Sequence, residues 1–239
     1  MTTIFWAGDS TVRQNSILTY PQTGIGQVFE RFTRRYHVQI ENHAENGRST
    51  KSFLDEGRLA PICQRMQEGD FLFIQFGHND QKAEDSSRYA PADTVYANNL
   101  RLFIRAARQR GAHPVLITPV TRCNWRNLPD DRQFAPWVAA MKQVGKEQDV
   151  PVIDLTHMSE ALVDSWGETA ATDLYMTLPA VKYPHYPDGL GDTTHLQPLG
   201  AMTFAGLIAR GLRQLGGIYA ELLSDEFADW LSEGGSIVP

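Results

Sequence analysis

Ser10 and His195 are the residues of this chain best suited to nucleophilic chemistry. Ser10 follows the first apolar run, in Gly8-Asp9-Ser10-Thr11, and His195 closes Asp192-Thr193-Thr194-His195 near the C-terminus. A hydroxyl is a poor nucleophile near neutral pH. It needs a base within hydrogen-bond reach, and the base needs an orienting acceptor. Asp192 can accept from one imidazole nitrogen of His195, which leaves the other to take the Ser10 proton and later return it to a leaving alkoxide. Acyl transfer of this kind also needs donors aimed at a developing oxyanion. Gly47, in Asn46-Gly47-Arg48-Ser49, lets the backbone approach closely, and Asn79, in Gly77-His78-Asn79-Asp80, offers a side-chain N–H. Each residue has a plainer reading when taken singly. Ser10 reads as a helix cap, Gly47 as a turn glycine, Asn79 as a loop residue, and Asp192 as a cap for the helical segment Leu196 to Leu215. Four separated pieces that fit one mechanism weigh more than any one of them.

The elements that must position these residues alternate between strands and helices. Thr3 to Ala7 reads as a buried strand, Gly26 to Arg34 as a helix, Tyr36 to Ile40 as a strand and Leu59 to Met66 as a short helix. The aromatic run Phe71 to Phe76 is the strongest strand. Thr94 to Arg110 is the strongest helix, with Tyr96, Leu100, Phe103, Ile104 and Ala107 on one face and Gly111 as a stop. Pro114 to Thr118 reads as a strand, Phe134 to Gln148 as a helix and Val150 to Leu155 as a strand. After Pro198, Ala201, Ala205, Ile208, Leu212 and Leu215 share one helical face. A further helix is expected over Ile218 to Leu231, with a frayed tail from Ser232 to Pro239. This order predicts an α/β fold with a parallel sheet covered by helices on both faces, and one domain over residues 1–239. Ligand sites in such sheets collect beyond the C-terminal strand ends, which is where Ser10, Asn79 and the Thr118 to Arg122 segment fall.

Composition narrows the partners. The formal net charge of −6 and the short basic run Arg34-Arg35 argue against nucleic acid. No apolar run is long enough to cross a bilayer, so no membrane span is expected. Met1 leads directly into Ile4-Phe5-Trp6-Ala7 with no visible signal peptide, and the expected location is the cytoplasm; a chain trimmed of its signal would read the same. Cys63 and Cys123 form neither a metal spacing nor a disulfide framework and read as isolated buried thiols. His43, His78 and Asp80 lack ligand spacing, so no metal and no cofactor are expected. Trp6 reads as core. No exposed apolar stripe stands out to fix an oligomeric state.

The four segments together resemble the SGNH (GDSL-type) hydrolases, from Ser10 to His195. The likeness is nearest to the rhamnogalacturonan acetylesterase branch, carried by Ala7-Gly8-Asp9-Ser10-Thr11, Asn46-Gly47-Arg48-Ser49, Gln75-Phe76-Gly77-His78-Asn79-Asp80 and Asp192-Thr193-Thr194-His195. Thr11 replaces the leucine of the name-giving motif. Gly24-Ile25-Gly26-Gln27 resembles a Gly-Trp-Gly-Gln segment, with Ile25 in place of Trp. The resemblance implies a flavodoxin-like three-layer α/β/α sandwich and a metal-free acyl-serine mechanism on acetylated, pectin-derived oligosaccharides. In that reading Ser10 is the nucleophile, His195 the base and Asp192 its orienter. The Ser10 and Gly47 backbone N–H groups and the Asn79 side chain hold the oxyanion. Arg48 and Arg122 are candidate contacts to a galacturonate carboxylate, and His78 either buttresses Asn79 or lines the pocket. The aromatics of Tyr183 to Pro187 either stack on sugar or pack their loop, and the polar stretch Asn124 to Arg132 is a candidate rim. Two rivals stand beside this reading. One is a small-acyl or lipid esterase or thioesterase of the same superfamily, which apolar loops would favour. The other is a non-catalytic glycan-binding module, which the intact set of five residues argues against.

Overall fold

The computed structural model describes residues 1–123 and 134–226. Five strands form a parallel sheet: β1 (Thr2–Gly8), β2 (Val38–Asn42), β3 (Phe71–Gln75), β4 (His113–Ile117) and β5 (Val152–Ile153). Their order is β2-β1-β3-β4-β5, the flavodoxin-like arrangement. Alternation along the strands sends side chains to two faces. Ile4, Trp6, Phe71, Phe73, Val115 and Ile117 join one core; Phe5, Ala7, Leu72, Ile74 and Leu116 join the other. The first core is closed by α1 (Ile25–Val28), α6 (Leu155–Trp166), α7 (Glu168–Thr172) and α8 (Pro198–Leu215), and the second by α2 (Thr50–Asp55), α3 (Leu59–Arg65), α4 (Ala97–Gln109) and α5 (Ala135–Gln148). The result is the expected three-layer sandwich. Trp6 is fully buried, its ring edge-on to Phe29 at 5.1 Å and to Phe73 at 5.2 Å, a geometry that aligns the positive ring edge with a negative face.

Register sets the functional rim. Gly8 pairs with Gln75 and Gln75 pairs with Ile117, so β1, β3 and β4 end side by side. The loops carrying Ser10, Asn79 and Arg122 leave from that common edge. Strand order reverses between β1 and β3, and the chain runs away from that crevice in opposite directions, which opens a cleft there.

Several elements depart from the sequence expectations. The helix expected over Gly26 to Arg34 is a short α-turn, α1, followed by a 3₁₀ turn at Phe29–Phe32. Tyr36 lies outside β2 because its φ of 68° is left-handed, a turn conformation. The strand expected over Val150 to Leu155 shrinks to Val152–Ile153, because Asp154 accepts from the His157 N–H and starts α6 there. Helix α6 and the antiparallel pair β6 (Tyr175–Leu178) and β7 (Leu190–Leu196) were not legible from apolar periodicity. Cys63 is only partly buried on α3, whereas Cys123 is buried. The candidate rim over Asn124 to Arg132 lies outside the described residues, as does the frayed tail. The helix expected over Ile218 to Leu231 breaks off at Ala220, and Leu223 instead forms an antiparallel bridge with Thr33. No helix among the described residues is long and apolar enough to cross a membrane.

Helix α8 packs tightly on the backbone that leads into β6. A Cβ on Gly200 would lie 2.0 Å from the Leu174 carbonyl oxygen, and that backbone cannot give way without moving β6. Gly200→Ala is expected to lower unfolding free energy by about 1–3 kcal/mol, read from urea unfolding, with wild-type stability ruling the contact out.

Candidate active site

Ser10 leaves β1 in a tight turn. The Asp9 carboxylate accepts from the Thr11 N–H at 2.9 Å and the Thr11 hydroxyl at 2.8 Å, and the Val12 N–H donates to the Asp9 carbonyl at 3.2 Å. These bonds fix the turn and leave Ser10 8% exposed at the cleft floor. Asp9 has no evident role from sequence alone. Its side chain is the local brace of the serine.

His195 reaches Ser10 across the fold. Its Nε2 is 2.9 Å from Ser10 Oγ and its Nδ1 is 2.6 Å from Asp192 Oδ2. Donation from Nδ1–H to the carboxylate leaves the Nε2 lone pair facing the serine hydroxyl. Asp192 caps no helix, unlike the plainer reading of its position in sequence. It lies on β7, and α8 starts later, with Gln197 as N-cap and Pro198 fixing its first turn. The strand pairing explains how residues three apart can touch. Tyr175 pairs with Leu196 and Thr177 with Gly191, so Met176 alone faces the whole Asp192–His195 segment. That segment is extruded as a bulge toward the rim. Asp192 Oδ1 pins it by accepting from the Thr194 N–H at 2.8 Å and the His195 N–H at 3.0 Å. Burial alone would raise the Asp192 carboxyl. The hydrogen bonds and charge of His195 and the Thr194 N–H outweigh it and hold the group at about 2.

Neighbouring loops tie the bulged strand in place. The Cys123 N–H donates to the Thr193 carbonyl at 2.8 Å and the Thr23 N–H to the Leu196 carbonyl at 2.9 Å. The Tyr175 hydroxyl donates to the Thr121 carbonyl at 2.9 Å.

Gly47 and Asn79 line the same cleft. Gly47 has φ 74°, a conformation that favours glycine. Asn79 donates one Nδ2 hydrogen to the Arg48 carbonyl at 3.0 Å, leaving the second for a ligand, while Arg88 Nη1 donates to its Oδ1 at 3.4 Å and fixes the amide orientation. Asp80 joins the two loops: its Oδ1 accepts from the Thr50 N–H at 2.8 Å and the Thr50 hydroxyl at 2.6 Å. Thr50 begins α2, so this carboxylate also serves the N-terminal end of that helix.

The other candidates divide. Arg48 points away from the cleft: Nε and Nη2 each lie 3.0 Å from Glu56 Oε2, and Nη1 donates to the Asn46 carbonyl at 2.8 Å. The Glu56 carboxylate holds the guanidinium, and the Arg48 carbonyl is what meets Asn79 at the cleft. His78 lines the cleft, its ring edge-on to Phe134 at 4.7 Å, and it makes no hydrogen bond to Asn79. Burial, then the charges of Arg122 and His195, hold its pKa well below the usual range, with the Val120 backbone pulling weakly the other way. Arg122 lines the cleft, with its guanidinium 5.2 Å from the Phe134 ring centre. Gln22, Lys82 and Arg88 also line it and were missed as site residues. The Asp85 to Arg88 spacing, an ion pair at 2.6 Å, was the available signal for the last. Ile25 is buried, and Gln27 accepts from the Asn15 N–H at 3.0 Å, so this segment braces the Ser10 turn from below. Tyr183 and Tyr186 pack their loop: Tyr183 stands edge-on to Tyr20 at 6.0 Å, and the Tyr186 hydroxyl donates to the Thr19 carbonyl at 3.3 Å.

Residues 7–201 match the GDSL-like Lipase/Acylhydrolase family. The chain belongs to that family. It is 40% identical to rhamnogalacturonan acetylesterase RhgT of Bacillus subtilis over 89% of this chain and 90% of that protein. It is 38% identical to the probable rhamnogalacturonan acetylesterase YesY of the same organism, over 89% and 93%. Among solved structures, Bacillus subtilis YxiM superposes with a TM-score of 0.76 at 26% identity, covering 90% of this chain and 57% of that one. An acetylxylan esterase of Geobacillus stearothermophilus, at 16% identity and TM-score 0.63 over 91% and 95%, shares the fold.

Burial, opposed by the Thr50 bonds and reinforced by the nearby Asp9 charge, raises the Asp80 carboxyl from 3.8 to about 7. A carboxyl raised in the folded state contributes stability that is present below its unfolded value and lost as pH rises through the folded one. Asp80→Asn keeps an acceptor oxygen for Thr50 but does not titrate. Wild-type unfolding free energy is therefore expected to fall relative to that of Asp80→Asn between pH 4 and about 7, then to level off. Urea unfolding at each pH reads this, and parallel profiles would rule it out.

Proposed function

We propose that this protein is a carbohydrate esterase that removes O-acetyl groups from rhamnogalacturonan fragments, a step in pectin breakdown. The observation that carries the reading is the hydrogen-bonded line Asp192–His195–Ser10 opening into a polar cleft, in a chain 40% identical to a rhamnogalacturonan acetylesterase.

Ser10 Oγ attacks the acetyl carbonyl while its proton passes to His195 Nε2. Asp192 holds the Nδ1–H and stabilises the imidazolium. The oxyanion is held by the Ser10 and Gly47 backbone N–H groups and the second Nδ2 hydrogen of Asn79. Collapse breaks the bond to the sugar oxygen, which leaves with the proton from His195. Water, deprotonated by the same ring, then releases acetate from acetyl-Ser10. The cleft is lined by Gln22, Asn46, Asn79, Lys82, Arg88 and Arg122 and holds about 440 Å³, which suits a hydroxylated ring better than a long acyl chain. That polarity weighs against the lipid esterase, and the Ser10–His195 contact against a binding module without catalysis.

Acetate release from acetylated rhamnogalacturonan oligosaccharides, measured beside p-nitrophenyl esters from acetyl to octanoyl, tests the reading. Ser10→Ala is expected to stay folded and release no acetate, and Asp192→Asn to lose about 10²–10⁴-fold in kcat. Rates that rise with acyl length, with no acetate from the glycan, would replace the glycan reading with the lipid or thioester one. Turnover by Ser10→Ala would sink the mechanism.

A further inference from the structure

The loop between β3 and α4 closes on itself beside the catalytic line. The Ala90 N–H donates to the Asp80 carbonyl at 2.9 Å, so residues 81–89 leave and return next to Asn79. Within the loop, the Asp85 carbonyl accepts from the Arg88 N–H at 3.0 Å and the Tyr89 N–H at 2.8 Å. The Asp85 carboxylate accepts from the Ser87 N–H at 3.0 Å, a local turn of the kind Asp favours. This turn aims the Arg88 side chain at the cleft, and Arg88 Nε donates to the second carboxylate oxygen of Asp85 at 2.6 Å. The Ser87 hydroxyl first, then Arg88, hold the Asp85 carboxyl at about 2. The pair is therefore ionised wherever an imidazole can act as a base.

Arg88 reaches the loops of two oxyanion donors. Its Nη1 donates to Asn79 Oδ1 at 3.4 Å. The same nitrogen lies 3.6 Å from where a Cβ on Gly47 would stand, so the guanidinium rests against the bare face of that glycine. An Asn amide can turn over at little steric cost, exchanging its oxygen and nitrogen. Turned over here, Oδ1 would face the Arg48 carbonyl, which now accepts from Nδ2 at 3.0 Å, and Nδ2 would face the guanidinium. Each encounter sets like partial charges together, so the carbonyl and the cation admit one orientation. The cation also draws electron density toward Oδ1, which strengthens the second Nδ2 hydrogen as a donor. A guanidinium can serve Asp85 through Nε and Asn79 through Nη1 at once, whereas a lysine ammonium is a single point charge.

We propose that Arg88, held by Asp85, is a positioning residue of the oxyanion hole, acting through the Asn79 amide on the charge that develops during acyl transfer. This rests on the acyl-serine reading of the site and adds to it a device outside the line Asp192–His195–Ser10. A substrate carbonyl carries little charge before attack, so the benefit falls on the transition state and appears in kcat more than in KM. Arg88 moves no proton in this role, so the pH limb set by His195 stays where it is.

The test uses p-nitrophenyl acetate, which offers the acyl group but no sugar for Arg88 to bind. Asn79→Ala is expected to lose about 10²–10³-fold in kcat. Arg88→Gln is expected to lose about tenfold or more in kcat, with KM within about twofold of wild type and the pH limb unmoved. Arg88→Lys, which keeps the charge without the fork, should recover part of that loss, and Asp85→Asn should lose several-fold. With Asn79 already changed to Ala, Arg88→Gln should cost little further, because no amide remains to be held. Circular dichroism of each variant checks that it is folded, and Arg88→Lys and Asp85→Asn carry the test should Arg88→Gln not fold. Wild-type kcat in Arg88→Gln or Asp85→Asn, a loss confined to KM, or an equal loss with and without Asn79 would overturn the brace while leaving the esterase intact. Wild-type kcat in Asn79→Ala would overturn the oxyanion role of Asn79 and the brace with it. No turnover of p-nitrophenyl acetate by the wild type would overturn the acyl-serine reading itself.

Discussion

The bond between Ser10 and His195 joins residues 185 positions apart, and the rest of the structure is arranged to make it 2.9 Å long. Neither residue is brought there by its own neighbours in sequence. Ser10 is fixed because β1 sits near the sheet centre, paired on both sides, so the turn after it starts from a rigid edge. His195 is fixed because β7, outside that sheet, is tied to the loops after β1 and β4. Parallel strands can only be joined through crossovers, so those loops all emerge at one rim and can share partners. The meeting of Ser10 and His195 is thus a by-product of topology, with hydrogen bonds between loops setting the final distances.

Much of this was legible because two kinds of signal are local. The nearly unbroken apolar runs of Thr3 to Ala7 and Phe71 to Phe76 reflect burial on both sheet faces, and the helical spacing from Tyr96 to Ala107 reflects one buried stripe. The motifs around Ser10, Gly47, Asn79 and His195 carry chemistry that few other residue types could supply. The misses were of a different kind. Whether Arg48 meets a substrate depends on where Glu56 lies, a tertiary fact. Helix α6 was hidden because Val152, Ile153 and Leu155 read as one apolar run, and only the Asp154 cap divides them. The pair β6–β7 has no clear alternation because most of β7 is only half-buried and its middle is bulged.

Buried carboxylates do the aligning around the cleft. Asp9 and Asp80 are almost completely shielded from solvent, and each spends one oxygen on the N–H and hydroxyl of a threonine. Burial raises both groups, which marks the cost of placing them there. In exchange the Ser10 turn and the Gly47 loop are each held by two hydrogen bonds to one buried carboxyl oxygen.

The bulge on β7 has a consequence for how the site can fail. Asp192 and His195 ride on one short excursion, and the carboxylate is bonded to two backbone N–H groups of that same excursion. The His195 imidazole and the Asp192 carboxylate are therefore held together by the bulge itself. Drift of β7 relative to the sheet changes how the imidazole meets the Ser10 hydroxyl, while its hydrogen bond to Asp192 travels with the bulge. What can fail is the seating of the bulge on the sheet rim, and the stitches from Thr23 and Cys123 lie on the residues next to it.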